Sequence, residues 1–236
     1  MEPNDKIVVI HQPDFMPYLG FFHRFLIADI YIILDNVQFV SSSRSMNNRD
    51  KIKTEKGEKW ITIPVNKCPR DTNINEVTIS SANDWRRTHL ITLQNNYGRA
   101  PYFKEIYPSI EILYNRHATL LIDFTLESIR LLMKLFNVEI PTVLSSDLNV
   151  AGTSNERIAN LVKAVGANRY LSGVGAKAYF DPELYKRKGV EVIWQDFTHP
   201  VYPQLHDGFI PFLSSLDLLF NCGVDESRKI LRRCLK

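Results

Sequence analysis

The stretch KIVVIHQPDFMPYLGFFHRFLIADIYIILDN, residues 6–36, decides how this chain folds. Its first segment, 6–10, is a continuous Ile/Val run, the pattern of a strand buried on both faces of a parallel sheet. His11-Gln12-Pro13 ends it, because proline cannot donate to a strand ladder. Pro17 fits the first position of a helix, and Leu19, Phe22, Phe25 and Leu26 then recur at helical spacing. Asp29 closes that helix, and 30–34 reads as a second strand finishing at Asp35. Strand, loop, helix and strand in this order form the repeating unit of doubly wound sheets.

Two strand-like segments follow at 60–65 and 75–79, expected to pair antiparallel as an insertion. Helices occupy 83–97, opened by an Asn83 cap and closed before Gly98, and 118–136. Alternation resumes with a strand at 142–144 and a helix at 157–165 behind the capping-box motif Thr153-Ser154-Asn155-Glu156. A strand at 169–171, a helix at 181–188 and a strand at 190–194 come next. The chain closes with a helix over 213–220, capped by Ser214 or Ser215, and a basic helix from Asp225. The expectation is one α/β domain over residues 1–236: a mainly parallel, Rossmann-like sheet flanked by helices, with a helical elaboration around 83–137.

A net charge of +3, with Lys and Arg scattered and not striped, argues against nucleic acid as a partner. No run approaches the roughly 18 apolar residues of a membrane span, so no membrane insertion is expected. The polar opening residues do not make a signal peptide, which points to the cytoplasm. Cys68, Cys222 and Cys234 lack disulfide or metal-ligand spacing, and neither C-x-x-C nor H-E-x-x-H occurs, so no metal site is expected. There is no Walker A loop and no G-x-S-x-G elbow.

Ligands of open α/β sheets bind beyond the carboxyl ends of the strands. The first strand delivers His11, Gln12 and Asp14 there, and the second delivers Asp35, Asn36 and Gln38. If the strands are neighbours, both sets open onto one crevice. An imidazole beside a carboxylate can act as a base or proton shuttle, which makes His11, Asp14 and Asp35 candidate catalytic residues. The structural alternative is that His11 and Asp14 only cap the following helix. The segment SSSRSMNNRDKIK, 41–53, offers Arg44, Asn48, Arg49 and Lys53 to a phosphate or carboxylate, or is a solvated face. RYLSGVGA, 169–176, places Ser172, Gly173 and Gly175 after a strand, where glycines let backbone approach a phosphate; the third glycine of a dinucleotide fingerprint is missing. QDFTHPVYPQ, 195–204, carries Gln195, His199, Tyr202 and Gln204 on a proline-restricted loop suited to holding a substrate or to covering a sheet end. His199 is the competing base.

The ordered set HQPDFMPYLGFF, ADIYIILDNVQF, RSMNNRDKIK, GEKWITIPV, RYLSGVGAKAYFD, QDFTHPVYPQ and FIPFLSSLDLLFNCG covers nearly the whole chain and resembles the WbqC-like proteins. That family is associated with bacterial O-antigen and other surface-polysaccharide biosynthesis. Its pattern falls on His11, Gln12, Pro13, Gly20, Asp35, Gln38, Asn48, Arg49, Ser172, Gly173, Gly175, Gln195, His199, Pro200, Tyr202 and Gln204. Tyr18 and Met46 stand where tryptophans are expected. The resemblance implies a place in that pathway, and the leading reading of the chemistry is a transferase that forms an amide on an amino-sugar nucleotide from an activated acyl or aminoacyl donor, free or carrier-bound. His11, oriented by Asp14 or Asp35, would be the base. Arg44 and Arg49 would hold phosphates, and the 172–175 loop would donate N–H groups to the oxyanion. The opening also resembles the nucleotidyltransferase superfamily of pantothenate synthetase-like enzymes, with Tyr18-Leu19-Gly20-Phe21 in place of its ATP-binding H-x-G-H. An ATP-using nucleotidyltransferase or ligase is therefore the second reading, and a non-catalytic sugar-nucleotide-binding module the third.

Overall fold

Successive residues of the first apolar run face opposite ways, Val9 into one core and Val8 and Ile10 into another. In the computed structural model, which describes residues 5–40 and 45–235, this run is strand β1 (Ile7–His11). It pairs in parallel with β2 (Ile30–Ile33) on one side and β6 (Arg169–Ser172) on the other. β5 (Thr142–Leu144) extends the sheet beyond β2, and β7 (Glu191–Trp194) extends it beyond β6, both in parallel. The order β5-β2-β1-β6-β7 is a Rossmann-like, doubly wound arrangement in which the direction of winding reverses beside β1.

Helices cover both faces. Val9, Tyr31 and Ile33 pack with α1 (Leu19–Phe25), α4 (Leu121–Phe136) and α7 (Ser215–Arg233) through Phe21, Phe22, Leu132, Phe136 and Leu219. Val8, Ile10 and Ile32 pack with α5 (Ser154–Ala164) and α6 (Pro182–Arg187) through Ala159, Leu161, Val162 and Tyr185. Burying each such side chain is worth about 1.5–3 kcal/mol, which fixes the two apolar runs at the centre of the sheet. No helix among the described residues is long and apolar enough to cross a membrane.

Several local expectations are corrected. α1 starts at Leu19, because the Pro17 carbonyl is held in an extended approach by Ser215, through its N–H at 3.1 Å and its Oγ at 2.7 Å. Residues 49–53, read from the sequence only as part of a polar, cationic segment, belong to β3 (Arg49–Thr54), which pairs antiparallel with β4 (Gly57–Thr62). The inward side chain of Asp50 interrupts the apolar alternation that Ile52 would otherwise signal. The strands expected at 60–65 and 75–79 reduce to the end of β4 and a single bridge between Val65 and Ile79. α2 (Trp85–Tyr97) is capped by Asp84 and not Asn83, the Asp84 carboxylate accepting from Arg87 N–H at 3.2 Å. An additional helix, α3 (Phe103–Tyr114), was hidden by Pro108 in its interior. Thr153 holds the N-cap position of α5 but makes no side-chain cap bond. Ser214 does cap α7, and the two helices expected at the chain end are present as its two halves, separated where the backbone leaves helical geometry at Gly223 (φ 73, ψ 172). A Cβ there would come within 2.6 Å of the Tyr102 ring.

Candidate functional site

The reversal in winding sends the loop after β1 and the loop after β6 to opposite faces, and a cavity of about 1080 Å³ opens beyond these strand ends. His11, Gln12, Asp14 and Tyr18 line it from the first loop and its approach to α1. Ser172, Gly173 and Gly175 line it from the second, Asn36 and Gln38 from beyond β2, and Gln195 from the end of β7. β1 and β2 are neighbours, so polar residues at both of their ends reach one crevice.

His11 Nδ1 is 2.8 Å from the Gln12 carbonyl oxygen. A carbonyl only accepts, so Nδ1 carries the proton of the neutral ring and Nε2 keeps the lone pair. Asp14 Oδ2 lies 3.6 Å from the same Nδ1. Although 34% of the His11 side chain is open, it opens onto the cavity wall. Burial and then the Arg24 cation depress the imidazole to about 3, against the support of the Gln12 bond. Burial lifts Asp14 to about 7, against the opposing pull of Arg24. A carboxyl group that titrates at neutrality can move a proton in either direction, whereas an imidazole at about 3 is a feeble base. Burial thus leaves His11 a neutral hydrogen-bonding group and makes Asp14 the group that titrates near neutrality.

Arg24 was missed by sequence reasoning. It lies on α1, is 4% exposed, and reaches the cavity wall with Cζ 5.4 Å from the Phe21 ring centroid. Its Nε is buried without a hydrogen-bond partner, and no carboxylate among the described residues pairs with it. The signal was present: an arginine inside a segment whose every other residue is apolar, glycine or histidine and which is buried throughout. Arg157, on the first turns of α5, donates through Nη1 to the Asn36 carbonyl at 3.1 Å and through Nη2 to Asn36 Oδ1, and its Nε is also unpartnered. Among the described residues, Arg24, Arg157 and Asp14 are the charged members of the lining, so it is cationic on balance.

Other candidates stand elsewhere. Asp35 binds structure together: its carboxylate accepts from Ser145 Oγ at 2.8 Å, Ser146 N–H at 3.0 Å, Ser146 Oγ at 2.6 Å and Asn75 Nδ2 at 3.1 Å. Burial raises its pKa, but the Ser146 and Ser145 bonds outweigh that and leave it lowered. Lys53 is buried and donates to the carbonyls of His206, at 3.2 Å, and Gly208. Asn48 donates to the Ile63 carbonyl at 2.9 Å, and the Arg49 guanidinium lies 4.2 Å over the Trp60 ring. His199 meets the Pro200 carbonyl at 2.9 Å among Phe197, Phe209 and Phe212; Tyr202 is buried against Phe209; Gln204 pairs with the backbone of Ile210 in both directions. None of these residues lines the cavity. Gln38 and Gln195 do line it, tethered to the carbonyls of Arg70 at 2.6 Å and Gly20 at 2.8 Å. Arg44 falls outside the described residues.

The WbqC-like protein family matches residues 12–229, a span that holds the 172–175 loop and all of the 11–14 loop but His11. The chain belongs to that family. Rv1507c, an uncharacterized protein of Mycobacterium tuberculosis, is 34% identical to this WbqC-like chain over 235 residues, covering 97% of it and 99% of the relative. No solved structure matches. Among the described residues of the WbqC-like chain, no group of three or more His, Cys, Asp or Glu is placed to hold a metal ion.

Proposed function

We propose that this WbqC-like chain is a transferase of surface-polysaccharide (O-antigen) biosynthesis that forms an amide on an amino-sugar nucleotide, taking the acyl or aminoacyl group from an activated donor. The observation that carries the reading is Asp14, a carboxyl group lifted to about 7 in a cationic cavity at the switch point of the sheet. The diphosphate would meet Arg157 and the backbone of the Ser172–Gly175 loop, since Arg49 is engaged with Trp60. As the sugar amine attacks the donor carbonyl, Asp14 takes its proton while the C–N bond forms. Backbone N–H groups steady the tetrahedral oxyanion. Its collapse breaks the bond to the leaving group, to which Asp14 returns the proton. His11, neutral, would orient the nucleophile through the lone pair on Nε2.

Two arginines in the cavity would equally suit a triphosphate, which keeps the ATP-using reading as the alternative. The test is mass spectrometry of reactions holding amino-sugar nucleotides and activated acyl or aminoacyl donors. Amide formation by the parent protein and its loss in Asp14→Asn, with sugar-nucleotide binding retained, is expected. Pyrophosphate or AMP release from ATP and magnesium would replace this reading with the nucleotidyltransferase or ligase. Thermal stabilisation by sugar nucleotides without any turnover would replace it with a binding module.

A further inference from the structure

Arg24 poses a physical problem. A buried guanidinium costs several kcal/mol of desolvation unless it is paired and hydrogen-bonded. Arg24 is nearly wholly buried, its Nε has no partner, and no carboxylate among the described residues lies within ion-pair distance. Phe21 offers it only a ring face. Its field nonetheless reaches His11, Asp14, Tyr18, Tyr31 and Tyr170. Arg157, by contrast, is engaged with Asn36 beyond the end of β2. The cavity thus has two cationic places of different character, one bonded to the backbone and side chain of Asn36 and one without an ion-pair partner among the described residues, beside the Asp14–His11 pair.

We propose that Arg24 is the anchor of a second anion subsite, which takes a carboxylate or phosphate group carried by the reactant that meets Asp14. The inference rests on the cavity being the ligand site and not on amide chemistry. A bound anion offers the guanidinium the bidentate partner it lacks. It also cancels the cation that holds Asp14 down, so occupancy would drive Asp14 toward its protonated form. The groups facing Asp14 are His11 from the end of β1, Tyr18 from the approach to α1, Arg24 from α1 itself, Tyr31 from β2 and Asp50 from β3. Of these, Arg24 is the cation, so the direction of the response is set by it.

The experiment titrates the Asp14 carboxyl by carbon NMR in the whole protein, with and without millimolar inorganic phosphate or acetate, for the parent, Arg24→Met and Arg24→Lys. In the parent, one of the two anions should move the midpoint upward by about one unit, the lower end of what a neighbouring cation does to a carboxylate. Which anion acts decides between phosphate and carboxylate. Arg24→Met should start from the raised midpoint, respond to neither anion, and melt no lower than the parent. Arg24→Lys should respond with affinity weakened roughly tenfold, because an ammonium lacks the planar fork. An equal response in parent and Arg24→Met, or no response of the parent to either anion, overturns the subsite. If Arg24→Met fails to fold, the response of Arg24→Lys against the parent decides alone: unweakened affinity overturns it. Failure of the amide assay with this response intact removes the transferase reading and leaves the subsite standing.

Discussion

His11 Nδ1 lies 2.8 Å from the carbonyl oxygen of Gln12 and 3.6 Å from Asp14 Oδ2, so the imidazole gives its proton to the backbone and leaves the carboxyl group free. Burial splits the pair into a neutral ring at about 3 and an acid at about 7. If Asp14 is the base, kcat/KM should rise tenfold per pH unit below about 7 and level off above it. Asp14→Asn should lose about 10²–10⁴-fold and abolish that limb. His11→Ala should keep the limb while lowering the plateau. A limb that survives in Asp14→Asn and vanishes in His11→Ala would return the role to the histidine.

Stability should not mirror that profile. Between the ordinary carboxyl value of 3.8 and the ordinary imidazole value of 6.5, the folded pair holds its proton on Asp14 and the unfolded pair holds one on His11. Proton counts are then equal, and the pair contributes no slope to unfolding free energy in that window. Asp35 behaves differently. Its pKa is lowered, so its contribution is present above 3.8 and is lost as pH falls through the folded value. Asp35→Asn should cost about 2–4 kcal/mol in denaturant melts at neutral pH, the cost narrowing toward acid pH. Unchanged melting with lost turnover would instead make Asp35 catalytic.

Gly20 is required by its neighbour and not by backbone conformation. A Cβ at this position would meet the Tyr18 ring, with Cζ and the hydroxyl oxygen at 2.7 Å and Cε2 closer still. Phe197 and Phe212 hold that ring edge-on from 6.1 and 6.0 Å, and it lines the cavity, so displacing it disturbs the cavity wall. Gly20→Ala should destabilise by about 1–3 kcal/mol and weaken ligand binding. Adding Tyr18→Ala should restore the melting temperature. Equal stability and affinity in Gly20→Ala and the parent would mean the ring moves freely.

The sheet was legible because the runs at 6–10 and 30–34 leave an Ile/Val strand few options, and strand ends follow from Pro13 and Asp35. The cavity loops at 11–14 and 172–175 were legible for the same reason, since strand ends mark the crevice. The hairpin was not, because Asp50 faces inward where an apolar residue would announce a strand. α3 was obscured by Pro108. The opposite displacement of the His11 and Asp14 pKa values depends on depth of burial and on Arg24, neither of which spacing reveals. Residues 199–204 share the polar character of a binding loop, yet their path over α7 turns them away from the cavity: Leu205 N–H donates to Asn221 Oδ1 at 3.0 Å, and Gln204 closes on Ile210.

That path yields the last prediction. Lys53 reaches from β3 to the carbonyls of His206 and Gly208, and its own N–H donates to Tyr97 Oη at 2.8 Å, which in turn donates to Asp217 Oδ1 at 2.9 Å. Lys53→Met strands two carbonyl oxygens and should cost about 2–4 kcal/mol. His199→Ala empties a ring-lined site between Phe197, Phe209 and Phe212 and should cost about 1–3 kcal/mol. Neither residue lines the cavity, so turnover per folded molecule should match the parent in both variants at a temperature below their melts. Gln195 gives the sharper contrast, because the same loop carries it into the cavity on its bond to the Gly20 carbonyl. Gln195→Ala should weaken ligand binding with little loss of stability, its side chain being only partly buried. A His199→Ala variant that melts like the parent but no longer turns over would show that His199 reaches the reacting atoms after all.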